Sequence, residues 1–514
     1  YALLISDEKD LAGLPAELIA AAADTARKRG AAGKWAFTLV RSSIEPFLQY
    51  AQNRDLRRDI YQAYIRRGGN DNKSDNRALV KEIVVLRAER AQLLGYRTFA
   101  DYVIADNMAK TPKAVNQLLQ RLWKAALAQA KRERTELSAL LRKELGKSAK
   151  LEPWDWRYCA EKVRKARYDV SEDELKPYFQ LDQVRNVAFD TATRLFGITF
   201  KEVTAKAPLY HPDAKVFEVT SKSDGSLVGL YYVDYFARDG KRGGAWMNNF
   251  RNQSNRDGRV RPIVINVGNF PPPVGDKPSL LAWNEVETLF HELGHGLHGL
   301  LSDVTYENQS GTNVKRDYVE MPSQLLENWA SEAEVMKRYG RHYQTGEPIP
   351  DALVQKLHQA ATFNQGFIMT ELVAAALLDM KWHSLTPDEV KKIQDVEAFD
   401  RATMAEIGLI PEIAPRYHSP YFQHIFSDEE YAAGYYVYLW AQVLEADAFT
   451  AFTDAKNAFD PKVAEKLRRY IFSAGGSDDE MTQYRAFRGK DPSVEPLLKK
   501  LGLRTPQARE GGRR

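Results

Sequence analysis

Cysteine is almost absent from this sequence: Cys159 is the one thiol in 514 residues. A single cysteine cannot form an internal disulfide, so a disulfide-stapled fold is excluded. Long apolar runs are also missing, and the longest covers only residues 372–378. A helix needs about 20 apolar residues to cross a bilayer, so we expect no membrane span and no membrane partner.

An excess of one charge is missing too. Lys and Arg number 73 against 69 Asp and Glu, for a net charge of +4. The basic residues form no block, and the run at 131–134 mixes signs, so we expect no nucleic-acid partner. Hydrophobic residues make up 44% and charged residues 28%, a composition typical of soluble globular proteins. The length exceeds what one hydrophobic core usually covers.

Histidines are scarce, yet three of the nine lie between positions 291 and 298. His291, Glu292 and His295 form the pattern H-E-x-x-H. Residues four apart lie on one face of a helix, so His291 and His295 can bind one metal ion. Glu292 projects beside that ion, where a carboxylate can take a proton from water. The alternative is a helix with two ordinary half-buried histidines. We interpret His298 as a packing residue or as a residue that supports a ligand, and not as a ligand itself.

A catalytic zinc site needs three protein ligands and one open position, so a third carboxylate or His must come from another element. Glu320 lies downstream among apolar and aromatic residues, and Glu327 follows seven residues later. Single glutamates usually lie on solvated faces. The position of Glu320 favours a ligand, and Glu327 is then a carboxylate that orients a ligand histidine.

Two runs carry a family resemblance, LFHELGHGLHGLLS and GTNVKRDYVEMPSQLLENWA. They resemble the thimet-oligopeptidase (M3) family of zinc metallopeptidases. FARDGKRGGAWM and YAAGYYVYLWAQVLEADAF extend the similarity, most like the bacterial dipeptidyl carboxypeptidase branch, with the oligopeptidase A branch near it. The resemblance implies one zinc ion held by His291, His295 and Glu320, with Glu292 as the general base.

The same resemblance implies a mainly α fold of two helical lobes facing across a deep channel, with one small β-sheet beside the zinc helix. Such a channel admits short unstructured peptides. We predict a helical lobe at 1–150, a catalytic region at 151–450, and C-terminal helices with a flexible tail at 451–514, with segments of the lobes interleaved. We expect a monomer.

The pattern of apolar residues and caps predicts particular elements. Helices are expected at Pro15–Lys28, at Asn76–Leu94 and from Thr111-Pro112 to Leu145 with a short break. Residues 153–200 also read as helical. Short β-rich runs follow at 215–220, 226–232, 231–236, 244–247 and 261–267, with a hairpin turn at Asp224-Gly225. A short strand is expected at Trp35–Val40.

A tyrosine-rich segment follows at 424–438. Aromatic residues at helical spacing are usually core, but a phenol donor can stabilise the oxyanion formed when water attacks an amide. The resemblance implies that His424, Tyr431 and Tyr438 serve catalysis and that Tyr435 contacts substrate. The family usually has a glycine-rich loop between His424 and Tyr431, whereas this chain has Ser-Asp-Glu-Glu at 427–430.

Two further substrate contacts are predicted. Gly244 and Ala245 have little side-chain bulk and match a strand to which a peptide could add; an ordinary glycine-containing strand is the alternative. Release of C-terminal dipeptides requires a group that holds the substrate carboxylate, and Arg416 is the cation we assign to it. A surface salt bridge is the alternative for Arg416.

Three functions compete. The first is a zinc peptidyl-dipeptidase, the second a zinc endo-oligopeptidase of the oligopeptidase A type, and the third a peptide-binding protein with an inactive or structural metal site. Glu292 argues against the third, because a structural zinc needs no adjacent base.

The chain opens at Tyr1 without a methionine, directly into an apolar run. Members of the resembled family carry a further helical stretch before this point. We therefore expect a truncated or processed chain, or a separate N-terminal fragment that acts as a partner. Any targeting signal would lie in that part; a cytoplasmic location is favoured and a periplasmic one stays open.

Overall fold

The computed structural model describes residues 1–168, 172–238, 240–273 and 275–503. The chain forms two compact units, each built from segments that are not consecutive. The first unit comprises Tyr1–Asp169, Thr362–Tyr436 and Leu501–Arg514, and the second comprises Val170–Ala361 and Val437–Lys500. The end of the predicted C-terminal tail, 504–514, lies outside the described residues. The linear boundaries at 150 and 450 stay a prediction.

The first unit begins with a two-stranded sheet and seven helices. They are β1 (Ala2–Ile5), α1 (Ala16–Lys28), β2 (Trp35–Thr38), α2 (Arg41–Tyr50), α3 (Arg54–Ile65), α4 (Arg77–Leu93), α5 (Phe99–Ile104), α6 (Pro112–Leu145) and α7 (Pro153–Tyr168). β1 and β2 pair antiparallel.

The second unit holds the larger sheet. Its first part contains α8 (Glu172–Leu175), α9 (Leu181–Phe196), β3 (Ile198–Glu202), β4 (Lys215–Ser221), β5 (Leu227–Phe236), β6 (Trp246–Arg251), β7 (Ile263–Phe270), α10 (Trp283–Leu300), α11 (Met321–Ser331), α12 (Ala333–Tyr339) and α13 (Asp351–Ala360).

The chain then returns to the first unit and afterwards completes the second. The first unit gains α14 (Gln365–His383), α15 (Pro387–Lys392), α16 (Val396–Glu406) and α17 (Gln423–Phe426). The second gains α18 (Val437–Asp454), α19 (Pro461–Leu467), α20 (Glu480–Arg488) and α21 (Glu495–Lys500). Short 3-10 turns lie at Glu8–Leu11, Lys176–Tyr178, Thr204–Lys206, Glu307–Gln309 and Ser419–Tyr421, and a π-helical turn at Arg468–Phe472.

The predicted mainly α class with a small sheet beside the H-E-x-x-H helix is confirmed. Helix α6 begins as expected, with the Thr111 hydroxyl accepting the Ala114 amide at 3.2 Å and proline in the first turn. The short break expected within it is wrong, because α6 runs unbroken for 34 residues. Buried residues recur along the whole helix, so its packing continues on both sides of the charged run at 131–134.

The five-stranded sheet has the order β3-β4-β5-β7-β6. β4 and β5 pair antiparallel across the predicted turn at Asp224-Gly225, and the two adjoining runs predicted at 226–236 form the single strand β5. β3 was missed, because the sequence reads as helical to residue 200; Gly197, with φ +64°, ends α9 and turns the chain into β3. β6 lies at the edge of the sheet.

Both units bury extensive apolar cores. In the first unit, α6 packs along α14, and Trp156 stacks on Phe367 with ring centroids 5.1 Å apart. In the second, Trp329 meets Phe449 and Phe452 at 5.2 and 5.1 Å. Within the described residues no single helix is long and apolar enough to cross a membrane. The bent pair formed by α13 and α14 meets the length and composition criteria only when the two helices are counted together.

Candidate metal centre

Helix α10 carries the H-E-x-x-H pattern and lies between α11 and the sheet. At its start the Glu285 carboxylate accepts the Ala282 amide at 2.7 Å, which satisfies one of the free N–H groups of a helix N-terminus. A Cβ on Gly294 would lie 2.6 Å from the Cα of Ser323 in α11, while one on Gly296 would lie 2.9 Å from the Tyr231 ring of the sheet. The glycines that weaken an isolated helix therefore allow close packing on both sides.

Three side chains converge between α10 and the start of α11. One Glu320 carboxylate oxygen lies 3.3 Å from His291 Nε2 and 3.2 Å from His295 Nε2. Within the described part of the chain, this is the one group of His, Cys, Asp and Glu side chains whose ligand atoms could hold a metal ion, and they lie within 4.8 Å of one another. All three side chains are half-buried.

These separations fit a shared metal ion better than hydrogen bonds alone. Two ligands each about 2.0–2.1 Å from a tetrahedral zinc lie about 3.3 Å apart. Charge-assisted hydrogen bonds are shorter, about 2.7–2.9 Å. The Glu320 contacts at 3.2 and 3.3 Å match the first value. The residues present therefore fit a zinc ion held by two imidazoles and one carboxylate.

The second glutamate of this region contacts the other side of the first histidine. Glu327 Oε1 lies 2.7 Å from His291 Nδ1, which directs His291 Nε2 toward Glu320. An imidazole that ligates a metal commonly donates its other N–H to a carboxylate in this way. Glu320 is itself fixed, because the Ser323 hydroxyl donates to its backbone carbonyl at 2.9 Å. Ser323 was not singled out in the sequence, although it lies one helical turn after Glu320.

Glu292 is 7% exposed, and its Oε2 has no hydrogen-bond partner among the described residues. Burial raises the pKa of Glu292, although the neighbouring histidines act in the opposite direction. A buried carboxylate oxygen without a partner is costly unless something occupies the space it faces. Water bound beside a metal ion at the His291–His295–Glu320 group would satisfy it.

The electrostatics of the group favour a cation. Burial lowers the pKa of His291, but the hydrogen bonds and charges of Glu320 and Glu327 outweigh burial and raise it well above its ordinary value. Burial raises the pKa of Glu320, but His291 and His295 outweigh it and hold that pKa well below its usual range. In a metal-free chain a proton supplies this positive charge. A divalent cation would supply it more strongly and at a point between the three ligands.

Helix α11, which carries Glu327, is held in place by a buried polar network that the sequence did not indicate. Asn328 donates to a Glu445 carboxylate oxygen on α18 at 2.8 Å, and Lys500 on α21 donates to the other oxygen at 2.8 Å. Glu445 is 2% exposed. The residues lie 117 and 55 positions apart along the chain, so local patterns carry no signal of the network.

The predicted catalytic and substrate residues divide between the two units. Tyr438 is half-buried on α18 in the second unit, which also contains His291, His295 and Glu320. His424, Tyr431, Tyr435 and Arg416 belong to the first unit. There, the His424 ring lies 5.7 Å from Tyr431 and 5.2 Å from Tyr435. The three side chains form one aromatic cluster.

The members of this cluster differ in access. His424 and Tyr431 are half-buried, whereas Tyr435 is 2% exposed. Burial, followed by the charges of Arg416 and Arg41, lowers the pKa of His424, so its imidazole is neutral at pH 7. Arg416 lines a cavity together with Arg41, Arg157, Glu371 and Glu412.

Gly244 and Ala245 precede β6 and are not part of it, so the strand predicted at 244–247 begins two residues later. Gly244 has φ +90°, and its carbonyl accepts the Asn269 side-chain amide at 2.7 Å. The positive φ turns the chain into β6, the edge strand of the sheet. The two residues therefore lie at the start of a sheet edge.

Known proteins of similar sequence indicate the family to which the chain belongs. The chain is 42% identical over 503 residues to dipeptidyl carboxypeptidase of Escherichia coli, covering 98% of this chain and 73% of that protein. It is 37% identical over 512 residues to oligopeptidase A of Escherichia coli, with 98% and 74% covered. Saccharolysin of Saccharomyces cerevisiae is 31% identical over 480 residues, with 90% and 65% covered. The model of peptidase family M3 matches residues 47–503, and the chain therefore belongs to peptidase family M3.

Proposed function

We propose that this chain is a zinc-dependent peptidase that hydrolyses short peptides and releases dipeptides from their C-termini. The observation that carries the proposal is the meeting of His291, His295 and Glu320 at 3.2 and 3.3 Å, beside the unpartnered oxygen of Glu292. The 42% identity to a dipeptidyl carboxypeptidase supports the choice of reaction.

In this proposal His291, His295 and Glu320 hold the metal and Glu327 orients His291. Bound zinc supplies a Lewis acid that polarises the scissile carbonyl and acidifies water. Glu292 is the general base: its free carboxylate oxygen takes the proton of the attacking water and delivers it to the leaving amine.

Donors for the developing oxyanion are assigned to Tyr438, Tyr431 and His424. The half-exposed side chains of His424 and Tyr431 support this assignment, and so does the neutral imidazole, which can donate one N–H. The burial of Tyr435 supports a packing contact beneath the substrate rather than direct access to it. The edge of the sheet at Gly244 and Ala245 suits a peptide in extended conformation.

Arg416 is assigned to the free C-terminal carboxylate of the substrate. It lines a cavity that also contains Arg41 and Arg157, and a guanidinium binds a carboxylate with two parallel hydrogen bonds. Three carboxylates, those of Glu45, Glu371 and Glu412, line the same cavity, and they balance the three arginines before substrate enters.

The decisive experiment compares a peptide with its C-terminally amidated form. Loss of cleavage on amidation, with dipeptides released from the free peptide, is expected for a peptidyl-dipeptidase. Equal cleavage of both forms would favour the endo-oligopeptidase reaction, which the identity to oligopeptidase A keeps as the second candidate.

The base assignment is tested with Glu292→Gln. The variant should retain one zinc per chain and lose turnover by at least about 100-fold. Loss of zinc in this variant would make Glu292 a ligand, and full turnover would show that it is not the base.

A further inference from the structure

The turn that carries Tyr431 and Tyr435 is held by one carboxylate on a distant helix. Asp379, on α14, accepts the backbone N–H of Ala433 on one oxygen and that of Tyr435 on the other, each at 2.9 Å. Asp379 is 0% exposed. A buried carboxylate is stable only when hydrogen bonds replace its water, and here backbone amides of the turn provide them.

The backbone of this turn is strained at the point that Asp379 binds. Ala433 has φ +54°, in the left-handed region that residues with a Cβ rarely adopt. Alanine has no polar side chain to stabilise that conformation locally. Such a residue persists when surrounding contacts determine its backbone, and the two bonds to Asp379 lie on either side of the strained position.

Asp379 is itself oriented by two buried groups. His383 Nδ1 lies 2.8 Å from an Asp379 oxygen, and the Arg87 guanidinium lies 3.1 Å from His383 Nε2. Since arginine can only donate, His383 Nε2 accepts and Nδ1 carries the proton that is donated to Asp379. The order of donation therefore runs from Arg87 through His383 to Asp379.

The other end of the segment is tied to α4. Arg87 donates to the carbonyls of Ile425 and Asp428, at 2.5 and 2.7 Å. Arg90 donates to both carboxylate oxygens of Glu429, at 2.7 and 2.9 Å. The acidic loop at 427–430 is thus fastened to α4 at one end and continues into the turn that Asp379 holds at the other.

We propose that Asp379 is a positioning residue for catalysis: through two backbone amides it holds the turn that sets Tyr431 and Tyr435 against His424. This inference rests on the proposed function, because it assigns the use of the positioned side chains to that reaction. Asp379 touches neither substrate nor metal in this scheme.

The test compares Asp379→Asn with Glu133→Gln. Glu133 is a matched control, since its carboxylate also accepts two backbone N–H groups, those of Gly366 and Phe367, each at 2.9 Å. In Asp379→Asn an NH2 group replaces one acceptor, so one amide loses its partner. We expect kcat to fall at least about 10-fold with KM within about threefold, and the zinc content to stay at the wild-type value.

Hydrogen exchange measured by mass spectrometry provides a readout that does not depend on turnover. In Asp379→Asn, amides of residues 431–436 should exchange at least about fivefold faster than in the wild type. In Glu133→Gln, exchange at 431–436 and kcat should both match the wild type, while amides near 366 exchange faster.

Several outcomes would overturn the inference. The first is a kcat of Asp379→Asn within threefold of the wild-type value, and the second is an equal loss of kcat in Glu133→Gln. The third is hydrogen exchange of the Ala433 and Tyr435 amides in the wild type that is as fast as in an unstructured peptide. Should Asp379→Asn not fold, His383→Asn is measured instead; it retains the carboxylate and loses the ring that orients it, and wild-type kcat there counts against the proposal. If the wild-type protein shows no zinc-dependent turnover, the proposed function itself is refuted. If the wild type and Asp379→Asn turn over equally, only the positioning role of Asp379 is refuted.

Discussion

Gly294 is the residue at which a single added methyl group should damage the metal site without touching a ligand. In Gly294→Ala the new Cβ would lie 2.6 Å from the Cα of Ser323 and 2.9 Å from the carbonyl oxygen of Pro322. Ordinary contact begins near 3.4 Å, so the two helices must separate by about 0.8 Å. Both obstacles are backbone atoms of α11, which cannot rotate away.

Two opposing effects set the magnitude. Alanine in place of glycine stabilises a helix by about 1 kcal/mol, whereas overpacking against a fixed neighbour destabilises by about 1–3 kcal/mol. The site is more sensitive than the fold, because Glu320 lies directly before α11 and moves with it. Metal–ligand distances tolerate about 0.2 Å, so a shift of about 0.8 Å should lower zinc affinity at least about 10-fold.

The assay is competition for zinc with a chelator of known affinity, together with denaturant unfolding. Gly299→Ala is the matched control on the same helix. Its Cβ would meet the terminal methyl of Met247 at 2.7 Å, a flexible group that can move aside, and this contact is with the sheet rather than α11. We expect near-normal zinc affinity in Gly299→Ala. Wild-type zinc affinity in Gly294→Ala would refute the argument that close approach of α10 and α11 builds the site.

Three further predictions concern the surroundings of the site. Glu327→Gln should lower zinc affinity about 10- to 100-fold in the same chelator competition, because it weakens the 2.7 Å contact that orients His291. Lys500→Met should lower the free energy of unfolding, measured in urea, by about 1–3 kcal/mol, because Glu445 stays buried and loses its cation. Lys500 is partly exposed, so the loss should be smaller than for a fully buried pair. Arg416→Gln should raise the pKa of His424, because one of the cations that depress it is removed, and the acidic limb of kcat/KM should move to higher pH.

Each of these has a control or a contrary result. Glu334→Gln, an exposed change on α12, should leave zinc affinity unchanged. Unfolding of Lys500→Met at the wild-type urea concentration would show that the Glu445 network carries no net stability. NMR of histidine labelled at Cε1 reports the His424 pKa directly, and a value that falls in Arg416→Gln would contradict the stated sign.

Much of the helical architecture could be predicted because its signals are local. Thr111 and Pro112 mark the start of α6, and the H-E-x-x-H pattern lies within α10, as its helical spacing predicts. The failures also have local causes. The short break expected within α6 is absent, because buried residues continue along the whole helix. β3 directly follows helix α9, and no strong change of composition marks where the strand begins.

The pairing of His291 with His295 follows from the sequence by itself, because the α-helix places the two residues on one face wherever that helix lies. The proposed role of Glu292 as general base rests on its place directly after His291 in the same pattern. Family membership also could be recognised from short runs of residues, and comparison with known proteins confirms it.

Only the tertiary structure decided which atoms meet. Glu320 lies 25 residues after His295, and Asp379 lies 54 residues before Ala433; the periodicity of a helix or strand carries no information over such separations. Whether a carboxylate reaches a given nitrogen depends on how closely two helices pack, and here that depends on a missing methyl group at Gly294. Local sequence determined the kinds of groups available to this protein, and long-range packing determined their distances.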